Sequence, residues 1–225
     1  MGTLSFDVAN ALAGLLVVTS FLMIYQVRLP ALLNVLSLHS LLLALAVAWQ
    51  AHVQGAPELY VTAAITLVFK AWAIPAVLRR MIVRMGIHRE IETVTSPGLT
   101  MLVGIGVVAL SLNVMLPVTT HADPVTREDI ALALSVVLLG LLMMVTRRNA
   151  VSQVAAFLSL ENGVDLAAAA AQGMPLVVEI SVAFSVLVAV LVIGVFLFRI
   201  RERFDTVDIH ALDRFRGDQF KGDRE

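Results

Sequence analysis

An all-α, polytopic transmembrane bundle of about seven spans is the fold this sequence predicts, and three observations predict it. The first is composition: 59% of the 225 residues are hydrophobic and 15% charged, with a mean hydropathy of +0.91. An ordinary soluble domain carries about a quarter charged residues, so much of this apolar surface is expected to face lipid. The second is the length of the apolar runs, which at about 17 to 25 residues suffice to cross a hydrocarbon core as helix. The third is the arrangement of arginine, which alternates between connections and so sets an orientation.

The first run, near 7 to 25, has no basic segment before it. It ends in Tyr25-Gln26-Val27-Arg28 instead of a small-residue cleavage site, and is read as a retained span, not a signal peptide. The others lie near 31 to 50, 57 to 78, 98 to 117, 129 to 146, 150 to 171 and 175 to 198. Pro30, Pro57, Pro97 and Pro175 stand at starts of spans, where a missing N–H costs least because first-turn donors are unpaired anyway. Pro75, late in the third span, frees a carbonyl one turn earlier, which a neighbour or water must satisfy. Arg28, Arg79, Arg80, Arg84, Arg89, Arg147, Arg148 and the tail from Arg199 fall on connections of one parity, and Arg127 alone on the other. The positive-inside bias then places the N-terminus outside and the C-terminus in the cytoplasm, as an odd span count requires.

Two short pieces are expected on the cytoplasmic side, from Arg79 to about Ser96 and from Arg199 to Glu225. The tail between Phe204 and Phe215 spaces apolar residues at roughly helical intervals, as a docked amphipathic segment or a charged solvated tail would. Within the membrane part, Leu38-His39-Ser40 resembles Leu160-Glu161-Asn162, and Gly55-Ala56-Pro57 resembles Gly173-Met174-Pro175 at nearly the same offset. A three-helix unit present twice explains both matches, and so does the general likeness of helical hairpins. The expected divisions are 1–97 for the N-terminal helices, a candidate first copy; 98–128 for a connecting fourth span; 129–203 for a second three-helix unit; and 204–225 for the tail. The copies would run parallel, since an even number of spans separates them.

Cysteine is absent, which removes disulfides, iron–sulfur ligation and thiol nucleophiles. The sequence has no phosphate loop, HExxH or nucleophile elbow, and no pair of histidines spaced to hold haem between helices. No cofactor or metal is therefore expected, and a net charge of −1 gives no reason to expect nucleic acid. What remains is a set of ionisable side chains in hydrocarbon. Each costs at least a few kcal/mol there, which makes it a functional candidate.

Glu161 lies near the middle of the sixth span, and Asp165 follows at i+4 on the same face. Two carboxyls so close in low dielectric should not both be charged, and a proton shared between them is a relay element. The alternative is a neutral acid bonding to a neighbouring helix as structural glue. Glu179, early in the seventh span, faces the same neighbourhood across a short turn. Lys70, about ten residues from either end of the third span, is too deep to snorkel. It either exchanges charge with a nearby acid or forms a structural ion pair with a carboxylate of another subunit. His39, mid-way along the second span, is a proton-carrier candidate by residue type, although lone helix histidines are more often hydrogen-bonded packing residues.

The last third of the chain resembles a known family. Arg147-Arg148-Asn149, Leu158-Ser159-Leu160-Glu161-Asn162, Glu179 in the next helix and Phe204-Asp205-Thr206-Val207-Asp208 followed by Arg216-Gly217 look like the three-helix NuoK subunit of respiratory complex I. With its extra N-terminal spans, the whole chain is more similar to hydrogenase-4 component E (HyfE), the corresponding subunit of membrane-bound group 4 nickel–iron hydrogenases such as formate hydrogenlyase. The resemblance implies a subunit of the prokaryotic cytoplasmic (inner) membrane, packed among antiporter-like and other membrane subunits, with no redox site of its own. It implies that Glu161 and Glu179 belong to a chain of buried acids and lysines that moves protons, although the two are closer in sequence than their counterparts in the complex I subunit. Lys70 and His39 rest on burial alone. A small subunit of a multi-subunit cation/proton antiporter, and a scaffold that carries no protons, are the rival readings.

Overall fold

The computed structural model describes residues 2–85, 91, 93–118 and 124–171. Among them the chain is helical, with no strand, and an isolated antiparallel bridge joins Thr93 and Arg147. The seventh predicted span, with Glu179, and the tail lie outside the described residues. Helix α1 covers Gly2–Tyr25 and α2 covers Leu29–Gln54. A continuous helical rod follows, made of α3 (Pro57–Ile65), a π-helical segment (Thr66–Ala73) and α4 (Ile74–Met85). Then come α5 (Pro97–Val118), α6 (Pro124–Thr146) and α7 (Ala150–Ala170). Among the described residues, five segments are long and apolar enough to cross a membrane: Phe6–Tyr25, Leu29–Gln54, Pro57–Val83, Pro97–Met115 and Glu128–Thr146. Helix α7, with 21 residues, is also long enough at about 1.5 Å per residue. Its Ser, Gln, Glu, Asn and Asp side chains make it the least hydropathic of the set, and most of them turn into the bundle.

The local chemistry explains where the helices begin and end. Pro30 occupies the first turn of α2, and Pro57, Pro97 and Pro124 open α3, α5 and α6, positions that need no N–H. Asn149 caps α7, its side-chain oxygen accepting from Val151 N at 2.9 Å. Helix α2 stops at Gly55, whose φ of 66° is the left-handed turn that a side chain disfavours. The third span, expected to finish near 78, runs on as helix to Met85. Leu78 and Ile82 stay buried while Arg79 and Arg80 are exposed, so these arginines lie on a helix leaving the bundle rather than in a loop.

Helices α1, α2, α7 and α6 close a four-membered ring, each packed on the next. The rod lies outside against α2, and α5 against α6 and α1. The tightest seam is between α6 and α7. A Cβ on Gly140 would lie 2.7 Å from Leu160 N, and one on Gly163 would lie 2.8 Å from Val137 N, so each glycine admits the backbone of the other helix. Arg147, expected as a positive-inside loop charge, is also an internal clamp. It is buried, and donates to Met23 O at 3.0 Å, Ile24 O at 2.8 Å and Gln26 O at 2.8 Å. Burial lowers its pKa from the usual guanidinium value. Three carbonyls at and just past the C-terminus of α1 hold the charged form.

Candidate functional site

The rod brings Lys70 to the bundle because of how its π-helical segment is wound. The buried stripe runs Ala63, Thr66, Lys70, Ile74, Leu78, Ile82, so from Thr66 onward it advances by four residues at each step. In an α-helix of 3.6 residues per turn, a strict four-residue step drifts about 40° each time. A wider π turn absorbs that drift. Pro75 supplies the cause: its ring crowds the carbonyl four residues back and it has no N–H to offer. The Ile74 N–H bonds Phe69 O, five residues back. Leu67, Val68 and Trp72 face outward, Trp72 with 72% exposure, while Lys70 retains 3%.

Lys70 Nζ lies 2.6 Å from Asp165 Oδ2 and 3.2 Å from Glu161 Oε1. The two carboxylates sit one turn apart on α7, with 8% and 4% exposure. The Lys70 ion pair is therefore made within this chain, and Asp165 is its shorter partner. Across the α2–α7 contact, His39 Nδ1 is 2.8 Å from Thr19 Oγ1 of α1, and its Nε2 is 3.4 Å from Ser159 Oγ. Asn162 Nδ2 donates to Ser40 Oγ at 3.1 Å. His39 thus lies one hydroxyl away from the face that carries Glu161, held at both ring nitrogens. Of the five candidate residues, four converge on the junction of α2, α7 and the rod, and Glu179 lies outside the described residues.

A second polar cluster is not legible in the pattern of spans. Asp129 is buried in α6 and accepts from Gln50 Nε2 at 2.9 Å; Gln54 Nε2 reaches both Gln50 Oε1 at 3.1 Å and Ala169 O at 2.7 Å. An acid at the very start of an apolar run reads as a boundary marker. Only the meeting of α2 and α6 makes it interior. No group of three or more His, Asp or Glu side chains among the described residues is placed to hold a metal ion.

Over 206 residues the chain is 31% identical to the uncharacterized protein Rv0085 of Mycobacterium tuberculosis, covering 91% of this chain and 94% of that one. The chain belongs to the family of that mycobacterial protein. It is also distantly homologous to hydrogenase-4 component E of Escherichia coli and of Shigella flexneri, with 26% identity over 211 residues, 93% of this chain and 98% of each relative. No family model matches, and no solved structure matches. Both relationships span most of the chain.

Proposed function

We propose that this chain is a non-redox subunit of a complex I-related, membrane-bound hydrogenase assembly, and that it moves protons through the buried Lys70–Asp165–Glu161 cluster. One observation carries the reading: a lysine and two carboxylates, all but out of water, within 2.6 and 3.2 Å of each other. One cation facing two carboxylates leaves one negative charge in excess, and an isolated charge in hydrocarbon is costly. Binding one proton neutralises the cluster, and that proton belongs to the pair of carboxyls jointly. Glu161 accepts and releases it, and Lys70 and Asp165 follow with charge shifts along the membrane plane. His39 extends the path toward α1, and Glu179, outside the described residues, is a further candidate member. Homology to hydrogenase-4 component E supports the assembly, and the motifs around Glu161 support the likeness to the complex I subunit NuoK. In this reading the chain crosses the prokaryotic cytoplasmic membrane seven times, N-terminus outside, beside antiporter-like subunits.

The geometry also serves a scaffold, since an interhelical ion pair fastens the rod to α7. Two measurements separate the readings. Co-purification of the tagged protein from native membranes identifies its partners: hydrogenase subunits are expected, and antiporter subunits alone would point to the cation/proton antiporter instead. In the intact complex, Glu161→Gln is expected to abolish proton translocation while assembly persists. Full translocation by that variant would leave only the scaffold.

A further inference from the structure

Asp129 has no part in the cluster above, yet it is 1% exposed. Its Oδ2 accepts from Gln50 Nε2 at 2.9 Å, while Oδ1 is buried with no hydrogen-bond partner among the described residues. An oxygen removed from water with no donor is costly as part of an anion, and a proton on the carboxyl removes the charge. Among the described side chains no cation lies against it. From α2 it meets Gln50, which is tied to Gln54; its own helix adds Glu128, whose Oε2 accepts from Asn10 Nδ2 of α1 at 2.6 Å. Helix α7 contributes the Ala169 carbonyl, already taken by Gln54 at 2.7 Å. A metal ion is poorly served, since Gln50 turns its N–H toward Asp129 and its oxygen is occupied, whereas hard cations take about six oxygens.

The position is as informative as the chemistry. Ala169 is one turn beyond Asp165 on α7, about 6 Å along the axis. Gln54 and Gln50 lead from there to Asp129, at the start of the membrane-spanning part of α6, and part-buried Glu128 and Asn10 lie beside it. We propose that Asp129 is a second proton-binding site of this chain, the station between the Lys70 cluster and the aqueous face at the C-terminal end of α2. This rests on the proton-moving reading above, and adds the side from which that cluster is served.

The test uses the full-length protein purified with its partners, compared as wild type, Asp129→Asn, Asp129→Glu and Lys70→Met. Infrared spectra in water and heavy water should show a protonated-carboxyl C=O band that shifts on exchange. The Asp129 component of that band, read as the difference between wild type and Asp129→Asn, should persist in Asp129→Glu and Lys70→Met, beside the band of the proton held by the Lys70 cluster. In vesicles of the intact complex, Asp129→Asn should slow proton translocation by about tenfold or more, with recovery in Asp129→Glu. An unchanged band in Asp129→Asn, or full translocation by that variant while Glu161→Gln is inactive, overturns this assignment and leaves the functional reading intact. Full translocation by Glu161→Gln overturns the functional reading itself, whatever the spectrum shows.

Discussion

Lys70 joins Glu161 and Asp165 in one buried ion cluster. Two buried carboxylates opposite one ammonium cannot all be removed from water cheaply, and the arrangement holds only while each partner is present. Lys70→Met leaves two acids facing each other in hydrocarbon. The expected cost is about 3–5 kcal/mol, read as a fall in the thermal unfolding temperature of the full-length protein in detergent. Adding Asp165→Asn and Glu161→Gln to Lys70→Met should recover most of that loss, because no buried charge is then stranded. A triple variant as unstable as Lys70→Met would mean that the lysine stem, not its charge, holds the rod. The residue types here were legible in the sequence because charge in an apolar run is conspicuous. Their pairing was not: Lys70 and Asp165 are 95 positions apart, and hydropathy says nothing about which helices meet. Asp129 shows the same limit from the other side, as an acid whose burial depends on α2 lying against α6.

At the level of helices, the α6–α7 seam decides where Glu161 and Asp165 point. Gly163 lies between them on α7, and a Cβ there would meet Val137 Cγ2 and Val137 N at 2.8 Å and Ala133 O at 3.0 Å. Backbone cannot retreat as a flexible side chain can, so Gly163→Val should pry the helices apart and turn the acidic face of α7 away from Lys70. The expected outcome is a loss of about 2 kcal/mol or more, with proton translocation lost as well. Gly106→Val, with nothing within 4 Å of its Cβ position, should leave both unchanged. Equal damage from the two would show that valine disturbs these helices through propensity alone. Most helix boundaries could be foreseen, since proline at a first turn and glycine at a C-terminus are local signals. The π turn was only half visible. Pro75 announced a disturbed carbonyl, but the four-residue stripe from Thr66 to Ile82 acquires meaning only when one knows which face is inward.

The whole molecule brings its two halves together in register. Hydrogen bonds between α1 and the start of α6 or its C-terminal connection, and between α2 and α7, join residues separated by nearly constant distances in sequence: Asn10 with Glu128 by 118, Ser40 with Asn162 by 122, and Ile24 with Arg147 by 123. Constant separation means that each N-terminal helix runs parallel beside a C-terminal one. The connections agree, since α1 and α2 are joined through 26–28 and α6 and α7 through 147–149. We propose on this ground that the halves are two parallel copies of one unit, as the likeness of Leu38-His39-Ser40 to Leu160-Glu161-Asn162 suggests. In that alignment Ser40 and Asn162 are equivalent residues, and they hydrogen-bond each other at 3.1 Å. In that proposal a residue that touches its own counterpart marks the axis relating the two copies. The chain has no cysteine, so introduced pairs are free of background. Ser40→Cys with Asn162→Cys, treated with a short bifunctional thiol reagent in native membranes, should give an intramolecular link joining the two peptides in a mass spectrum. Leu38→Cys with Asn162→Cys should not, because Leu38 turns outward with 44% exposure. Linking of the second pair as readily as the first would mean that α2 is rotated about its axis. His39 would then lose its contact with Ser159, and the axis through Ser40 and Asn162 would be gone.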